Sequence, residues 1–266
     1  MNIIKPSFQI IEPTGYTIDD IYKSIELAGR VSHKSEDKIT ETSAKDFVGR
    51  MLNMKHLATC EFGTVYLCIA YHNPSFGKII DKYNNNQYSK CIIDNVFPNK
   101  AYISSNYRVL VENNWLDDLK FLCEPTEYHY KRYTVKFILD RGILAEFTRH
   151  RKFSFMAESS RYNNYSKDKF GNELTFIKPC WLTGDMKSNL TYLEWETTLQ
   201  EIEKSYLMLT KNGWKAEEAR SILPLSLKTE LYMCGFAEDW EKFFELRCAT
   251  NAHSQARELA IPLKEE

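Results

Sequence analysis

The side chains best suited to chemistry lie in one stretch of the sequence, residues 149–162. It places four cations, Arg149, Arg151, Lys152 and Arg161, among aromatic, hydroxyl and carboxylate side chains. Its phenylalanines indicate that the stretch enters the protein body, so its arginines must find anionic partners there or line a cleft that binds anions. Because a guanidinium fork and hydroxyls suit phosphate, the stretch predicts a site for a phosphate-bearing ligand.

A structural role is the alternative for the first three cationic residues, Arg149, His150 and Arg151. Cations at the C-terminus of a helix offset its partial negative charge, which is worth about 0.3 to 1 kcal/mol. A cluster fits this role less well than a single cation does, because like charges repel and an anionic ligand would relieve the repulsion. Ser159 and Ser160 follow a short predicted strand that can fold back beside these cations.

The composition bounds the class of protein. The chain has 266 residues, 43% hydrophobic content and a net charge of −1, so it can bury a large core and shows no bulk attraction to nucleic acid. No run of eighteen apolar residues occurs, and the N-terminus lacks the apolar segment of a signal peptide; we therefore expect a cytoplasmic protein, neither exported nor membrane-inserted. Seven scattered cysteines without a Cys-x-x-Cys pair favour reduced thiols, and no metal site is expected.

The elements that must position the stretch can be predicted from periodicity and turn signals. The residues just before it predict a long strand over 128–139, a break at Gly142, a short helix up to Arg149 and then a strand from Phe153 to Met156. Further upstream, the predicted elements are helices over 18–30 and 43–56 separated by a polar loop at 32–38, strands over 63–71 and 101–109, and a helix through 115–122. The sequence predicts a loop over residues 84–87, and this loop lies within a predicted insertion over residues 72–99.

The remainder of the chain is predicted to be mostly helical. We expect a strand at 175–177, an amphipathic helix over 185–212, a helix over 216–222, a helical segment over 225–233, and a helix capped by Asp239 that runs to Leu246. No linker and no repeat interrupts the chain. The sequence therefore predicts one α+β domain over residues 1–266, with a helical C-terminal half.

A fixed pattern runs through the opening stretch: Arg-His-Arg at 149–151, seven further residues, Ser159, and then Ser-Arg-Tyr at 160–162. This pattern resembles the signature of the flavin-dependent thymidylate synthases. Residues 28–32 are similar to the family's N-terminal helix end with its flavin-contacting serine, and residues 61–64 to its segment with a flavin-contacting threonine. Residues 217–224 resemble the helix whose arginine binds nucleotide phosphate, and Leu246-Arg247 match the position of the arginine that contacts uracil.

The resemblance implies an enzyme that methylates deoxyuridine monophosphate (dUMP) to thymidine monophosphate (dTMP). The implied carbon donor is 5,10-methylenetetrahydrofolate, with FAD as the hydride carrier, NADPH as the reductant and no cysteine nucleophile. The family fold implies a central, mostly antiparallel sheet flanked by helices, and a homotetramer whose active sites are shared between subunits. No nucleic acid, membrane or metal partner is implied.

Residue roles follow from the resemblance position by position. Arg247 is the implied catalytic residue, because an always-protonated guanidinium could stabilise negative charge on the uracil ring. The implied dUMP-binding residues are Glu146, Arg149, Glu158, Ser159, Ser160, Arg161, Arg220 and Arg247. The implied FAD-binding residues are Ser32, Thr64, Arg149, His150, Arg151, Ala157 and His253.

The chain departs from the family pattern at four positions. Many relatives have Glu where this chain has Ala157 and Gln where it has Glu146. Two asparagines that often contact flavin fall at Phe236 and Lys242. A synthase-like protein that has lost flavin is therefore one alternative.

Two further classes of function compete with this interpretation of the sequence. A dehydrogenase-type nucleotide fold loses its main support, because the chain has no Gly-x-Gly turn. A single-stranded nucleic-acid-binding module would use the basic corner at 149–161, with Tyr128, Tyr130, Phe153 and Tyr162 as stacking surfaces. The near-neutral charge and the single basic cluster argue against this module.

Overall fold

The computed structural model describes residues 1–94, 100–183 and 189–266. Its strands are β1 (Asn2–Ile4), β2 (Ser7–Ile11), β3 (Thr64–Ala70), β4 (Lys90–Asp94), β5 (Lys100–Asn106), β6 (Arg132–Asp140), β7 (Ser154–Ala157), β8 (Thr175–Ile177) and β9 (Lys228–Phe236). Its α-helices are α1 (Ile18–Arg30), α2 (Ser43–Asn53), α3 (Phe76–Asn84), α4 (Tyr107–Glu112), α5 (Arg141–Phe147), α6 (Leu190–Lys211), α7 (Ala216–Ala219), α8 (Ala237–Arg247) and α9 (Ser254–Glu265). Short 3-10 helices cover Val31–His33, Glu36–Lys38, Leu57–Phe62, Leu116–Phe121, Asp168–Phe170 and Arg220–Ile222.

A four-stranded antiparallel sheet in the order β2-β6-β9-β7 carries the 149–162 stretch. Neighbouring side chains along a strand point to opposite faces of a sheet. One face is apolar and packs against α5, α8 and α9; its buried residues include Val135, Phe137, Leu139, Leu231 and Met233. The opposite face carries Tyr232 and Cys234, which pack with residues of α1. The sheet is therefore covered on both faces beside the stretch.

Two smaller sheets complete the strand pairing of the described residues. A three-stranded antiparallel sheet, β3-β5-β4, packs against α1 and α2 around a second apolar core. The parallel pair β1–β8 joins the N-terminus to the segment after the motif. A third core, under α6, includes Phe176, Leu199 and Tyr206. The predicted α+β class with mostly antiparallel pairing is confirmed.

Local sequence signals account for several confirmed elements. The first helix begins at Ile18 as predicted, because Thr17 and Asp20 form a reciprocal capping box. The second begins at Ser43 and ends at Asn53, and β8 covers the predicted residues 175–177. The long helix is Leu190–Lys211, and the predicted residues 185–188 lie outside the described part of the chain.

The predicted helical segment over 225–233 is wrong, because residues 228–236 form β9. This strand lies between β6 and β7 and is almost entirely buried. A strand buried on both faces is a continuous apolar run, and such a run cannot be distinguished from a buried helix by periodicity. The C-terminal half therefore contributes an inner strand of the sheet as well as helices.

Other boundaries also differ from the prediction. The strand predicted over 101–109 ends at Asn106, whose side chain accepts a hydrogen bond from the Val109 amide and so begins α4. The strand predicted from residue 128 begins at Arg132. Asp239 does not cap α8: Phe236 occupies the cap position, and Asp239 is a buried residue in the first turn of the helix. The predicted helix through 115–122 is a 3-10 helix.

The segment predicted as an insertion, residues 72–99, contains two ordered elements. Helix α3 occupies 76–84 and strand β4 occupies 90–94, so the predicted loop at 84–87 begins on the last residue of α3. Strand β4 extends the three-stranded sheet by pairing with β5. Residues 95–99 lie outside the described part of the chain.

Candidate functional site

The Arg-His-Arg motif occupies a tight turn between α5 and β7. Helix α5 begins at a buried cap, because Asp140 Oδ1 accepts a hydrogen bond of 2.7 Å from the Ile143 amide. After α5 the chain turns through two backbone hydrogen bonds, from the His150 amide to the Phe147 carbonyl (3.2 Å) and from the Phe153 amide to the His150 carbonyl (3.0 Å). The predicted succession of strand, helix and strand around the motif is confirmed.

Phe153 anchors this turn to the sheet. Its ring is buried against Trp240 and Phe243, and it also lies over Gly235 of β9. A Cβ atom added at Gly235 would lie 2.5 Å from Phe153 Cδ1, so only glycine leaves room for the ring. The turn is therefore fixed relative to β9 by packing.

Arg247, the last residue of α8, reaches the same turn from far along the chain. Its Nη1 donates to Glu146 Oε2 (2.7 Å), its Nη2 to the Glu146 carbonyl oxygen (2.6 Å) and its Nε to His150 Nε2 (3.0 Å). Burial, followed by the positive charge of Arg247, lowers the pKa of His150 to about 4. His150 is therefore neutral at physiological pH, and its Nε2 is the hydrogen-bond acceptor.

The second half of the motif lies beside Ser32. The Ser159 amide and the Asn163 Nδ2 both donate to the Ser32 carbonyl oxygen, each at 3.1 Å. The Arg161 amide donates to Ser159 Oγ at 3.3 Å. The structure thus brings together Ser32 and Ser159, which the sequence had assigned to the flavin and to the nucleotide respectively.

Glu158 points away from solvent into a buried charge network. Its Oε2 lies 2.9 Å from Lys228 Nζ, and its Oε1 accepts a hydrogen bond of 3.0 Å from the Tyr165 hydroxyl. Lys228 also pairs with Glu230 at 2.7 Å, and Glu230 pairs with Lys34 at 2.9 Å. Burial alone would raise the pKa of Glu230, but the surrounding lysines lower it to about 2. Glu158 therefore holds the turn at 158–163 onto β9.

Thr64, Arg220 and His253 lie on other elements. Thr64, the first residue of β3, accepts a hydrogen bond from Arg132 Nη1 at 3.3 Å. His253 caps α9 by accepting from the Gln255 amide, and its ring contacts Trp181 edge-on. Arg220 is exposed at the end of α7. In the described part of the chain, no hydrogen bond or ion pair joins Thr64, Arg220 or His253 to residues 146–163.

Ala157 and Ser160 are half-buried beside the network. Ala157 is the last residue of β7 and pairs with Leu231, so its methyl group faces the apolar core. Ser160 lies in the turn that follows Ser159. Both are part of the segment that Glu158 fixes.

Two further residues in this region were not predicted from the sequence. Asn163 is 1% exposed, and its Oδ1 has no hydrogen-bond partner among the described residues. Lys228 is the cation between Glu158 and Glu230, but its segment was predicted to be helical, which hid its position in the sheet. The Asn-Asn pair directly after Ser-Arg-Tyr was the one available signal for Asn163.

The charges at this site suit the phosphate groups of a flavin dinucleotide. The guanidinium groups of Arg149, Arg151 and Arg161 are exposed, and within residues 1–94, 100–183 and 189–266 none of them forms an ion pair. Exposed, unpaired guanidinium groups suit phosphate. The unsatisfied Oδ1 of Asn163, next to Ser32, could accept a hydrogen bond from a ring N–H.

A cavity of about 640 Å³ opens next to Arg151, between the two antiparallel sheets. Its walls carry both charges as well as aromatic rings and amides: the cations are Lys90, Arg108, Arg132, Arg151 and Lys152, and the carboxylates are Glu61, Glu112, Glu238 and Asp239. Ligand pockets typically measure about 300 to 1,000 Å³. The cavity is therefore large enough for a nucleotide-sized group.

The described residues form neither a metal site nor a membrane-spanning helix. No group of three or more His, Cys, Asp or Glu side chains there is arranged to hold a metal ion. No helix in the same residues is both long and apolar enough to cross a membrane.

Together, the fold and the site define an α+β protein in which a tight turn presents exposed arginines without ion pairs among the described residues. A family model described as "Thymidylate synthase complementing protein" matches residues 124–266, more than half of the chain. The chain belongs to this family.

Individual relatives agree with the family. The chain is 30% identical over 145 residues to a probable flavin-dependent thymidylate synthase of Paramecium bursaria Chlorella virus 1, covering 50% of this chain and 64% of that protein. It is 27% identical over 125 residues to a flavin-dependent thymidylate synthase of Geobacter sulfurreducens, covering 47% and 51% respectively. The matched region spans about half to two thirds of the length of these relatives.

Among solved structures, the chain is similar to a UMP/dUMP methylase PolB from Streptomyces cacaoi bound with 5-Br UMP. The match covers 100% of this chain and 90% of the PolB chain. The TM-score is 0.47 and the sequence identity 14%.

Proposed function

We propose that the protein is a flavin-dependent thymidylate synthase that converts dUMP to dTMP. The observation that supports this best is the contact of Arg247 with both Glu146 and His150, because it joins the residue implied for the uracil to a residue implied for the flavin. Family membership and the names of the relatives agree with this assignment.

The substrate end of the proposed site uses charge. Arg161 and Arg220 are exposed cations that would bind the 5′-phosphate of dUMP, and Ser159 and Ser160 would add hydroxyl and amide donors. Arg247 would lie against the pyrimidine ring. Its fixed positive charge stabilises negative charge that develops on the ring oxygen and nitrogen atoms when C5 acts as a nucleophile.

The residues proposed to hold the flavin come from three parts of the chain. Arg149 and Arg151 would face its phosphates, and neutral His150 would pack against the ring system without adding a charge. Ser32 would lie at the other edge, close to Ser159. Thr64 and His253 stay predictions of flavin contact, and Ala157 contributes backbone and shape rather than a polar side chain. When bound, FAD supplies the hydride that reduces the transferred carbon.

The proposed co-substrates are those that the family resemblance implies, and they satisfy the electron balance. A methylene group must gain one hydride equivalent to become a methyl group, so methylenetetrahydrofolate is released as tetrahydrofolate while NADPH and a proton supply the two electrons and two hydrogens. No side-chain thiol is needed for this balance. We also propose that the enzyme is a homotetramer that uses no nucleic acid.

Flavin binding by the purified protein tests this proposal against the two alternatives. We expect a yellow protein, or a colourless one that becomes yellow with FAD, whose flavin absorbance near 450 nm is lost on anaerobic addition of NADPH. A colourless protein that cannot be reconstituted would favour the synthase-like protein without flavin. Salt-sensitive binding of single-stranded RNA, with no effect of dUMP on the flavin spectrum, would favour the nucleic-acid-binding module.

A further inference from the structure

Three of the five N–H groups of Arg247 are already engaged in the protein. An arginine side chain offers five N–H donors in a rigid planar fork. One donates to the carboxylate of Glu146, one to the Glu146 carbonyl oxygen and one to His150 Nε2. The two N–H groups that remain, one on each terminal nitrogen, are the donors available to a ligand.

Glu146 is built into a rigid element. It lies in the last turn of α5, and the start of this helix is fixed by Asp140, which also accepts a hydrogen bond of 2.7 Å from Gln255 Nε2 of α9. Phe147, the next residue, is fully buried. The Glu146 side chain is 31% exposed, and that of Arg247 is 16% exposed. A carboxylate on this backbone can orient Arg247 more firmly than a side chain on a loop could.

We infer that Glu146 is a positioning residue that acts through Arg247: it fixes the guanidinium so that the two remaining N–H groups face the bound ring. The inference rests on the proposed function for the identity of that ring, dUMP. It replaces the expectation that Glu146 binds the nucleotide directly. In this arrangement the neutral ring of His150 orients Arg247 from the other side without competing for its charge.

Two substitutions at residue 146 separate orientation from charge. Glu146→Gln keeps an acceptor oxygen at nearly the same place, whereas Glu146→Ala leaves Arg247 only the backbone carbonyl and His150. If Glu146 acts by orienting Arg247, the alanine variant should be impaired and the glutamine variant should retain most of the wild-type behaviour.

The first measurement follows Arg247 in the free protein. Phenylglyoxal modifies the terminal nitrogens of arginine, and peptide mass spectrometry gives the rate for each site. We expect Arg247 to react at least fivefold faster in Glu146→Ala than in wild type, and within twofold of wild type in Glu146→Gln. The exposed Arg161 is the internal control and should react equally in all three proteins. An unchanged Arg247 rate in Glu146→Ala would overturn the inference.

The second measurement is a double-mutant cycle on dUMP affinity, followed by the change in the flavin spectrum. Glu146→Ala should weaken dUMP binding about tenfold in the wild-type background and less than twofold in an Arg247→Met background. Glu146→Gln should stay within threefold of wild type. If the tenfold loss persists beside Arg247→Met, Glu146 is a direct ligand and the inference is wrong.

The modification experiment and the dUMP-binding experiment can give negative results independently of each other. If wild-type protein binds no dUMP, the proposed function falls, while the modification rates still decide whether Glu146 fixes Arg247. Thermal unfolding of each variant checks that the fold is intact.

Discussion

Arg247 is the residue on which the proposed chemistry depends most. We expect Arg247→Ala to lower dTMP formation at least about 10²-fold, because a preorganised donor aimed at developing negative charge is lost. Reduction of bound flavin by NADPH should change less than threefold. Stopped-flow absorbance measures the reduction, and product analysis measures the transfer. Arg50→Ala, on the exposed side of α2, is the control and should leave both rates unchanged. Equal loss of both rates in Arg247→Ala would contradict a role on the uracil.

His150 should make the stability of the protein depend on pH. Its pKa in the folded protein is about 4, below the usual value of about 6.5, so the unfolded chain binds more protons between these values. Stability should therefore fall as pH drops from 6.5 to 4 and gain nothing more from this residue above 6.5. His150→Gln should make the melting temperature fall less steeply over this window, as measured by calorimetry. His72→Gln, at an exposed histidine, should leave the pH dependence of the melting temperature unchanged. A wild-type pH dependence in His150→Gln would contradict the low pKa of His150.

At the residue scale, the sequence identified candidate site residues but not the residues that they contact. Arg247 and His150 were assigned to different ligands, and the structure shows them joined by a 3.0 Å hydrogen bond. The carboxylate of Glu146, which was predicted to bind dUMP, accepts a hydrogen bond from Arg247. Neither contact could be predicted, because about a hundred residues separate α5 from the end of α8 and only the folded sheet brings them together.

Strand β9 organises the site at the scale of elements, although the sequence predicted a helix over most of it. Its inward side chains support β6 and β7, and its opposite face carries Lys228 and Glu230. The helix α1 and the strand β8 could be predicted because a capping box and a short bounded apolar run are local signals. The run in β9 has no such local signal, since it is buried on both faces.

The contact between Gly235 and Phe153 should be sensitive to a single methyl group. Gly235→Ala would place Cβ 2.5 Å from the Phe153 ring, so we expect a loss of about 1 to 3 kcal/mol in the free energy of unfolding. Flavin affinity should fall as well, because Phe153 fixes the turn that carries Arg151. Gly49→Ala in α2 is the matched control, since nothing lies within 4 Å of its added Cβ. Urea unfolding and FAD titration measure the two effects, and wild-type values for Gly235→Ala would contradict this packing.

The buried charge network of Glu158, Lys228 and Glu230 should contribute to the free energy of unfolding. Lys228→Met removes the cation between Glu158 and Glu230, and Glu158 is 1% exposed, so we expect a loss of about 3 to 5 kcal/mol. Adding Glu158→Gln should recover part of that loss by removing the unpaired buried charge. Lys204→Met, in an exposed pair on α6, should change stability by less than about 0.5 kcal/mol. A similar small effect of Lys228→Met in urea unfolding would show that the network contributes little.

At the scale of the whole molecule, the class of fold could be predicted and the division into sheets could not. The α+β class follows from periodicity, but the residues from β3 to β5 form a separate sheet rather than part of a central one. The motif could be recognised because its side chains lie close together in sequence. Ser32 and Arg247 reach the motif only in the folded protein, because β7 pairs with β9. Helices α1 and α8 pack against opposite faces of the four-stranded sheet.

The formation of dTMP from dUMP by the purified protein tests the central claim most directly. The complete mixture contains dUMP, methylenetetrahydrofolate, FAD and NADPH under anaerobic conditions, and chromatography with mass detection measures the product. The proposed function predicts dTMP in the complete mixture, and none when dUMP, the folate or NADPH is omitted, or when FAD is omitted from flavin-free protein. A flavin-loaded, folded protein that forms no dTMP in the complete mixture would contradict it.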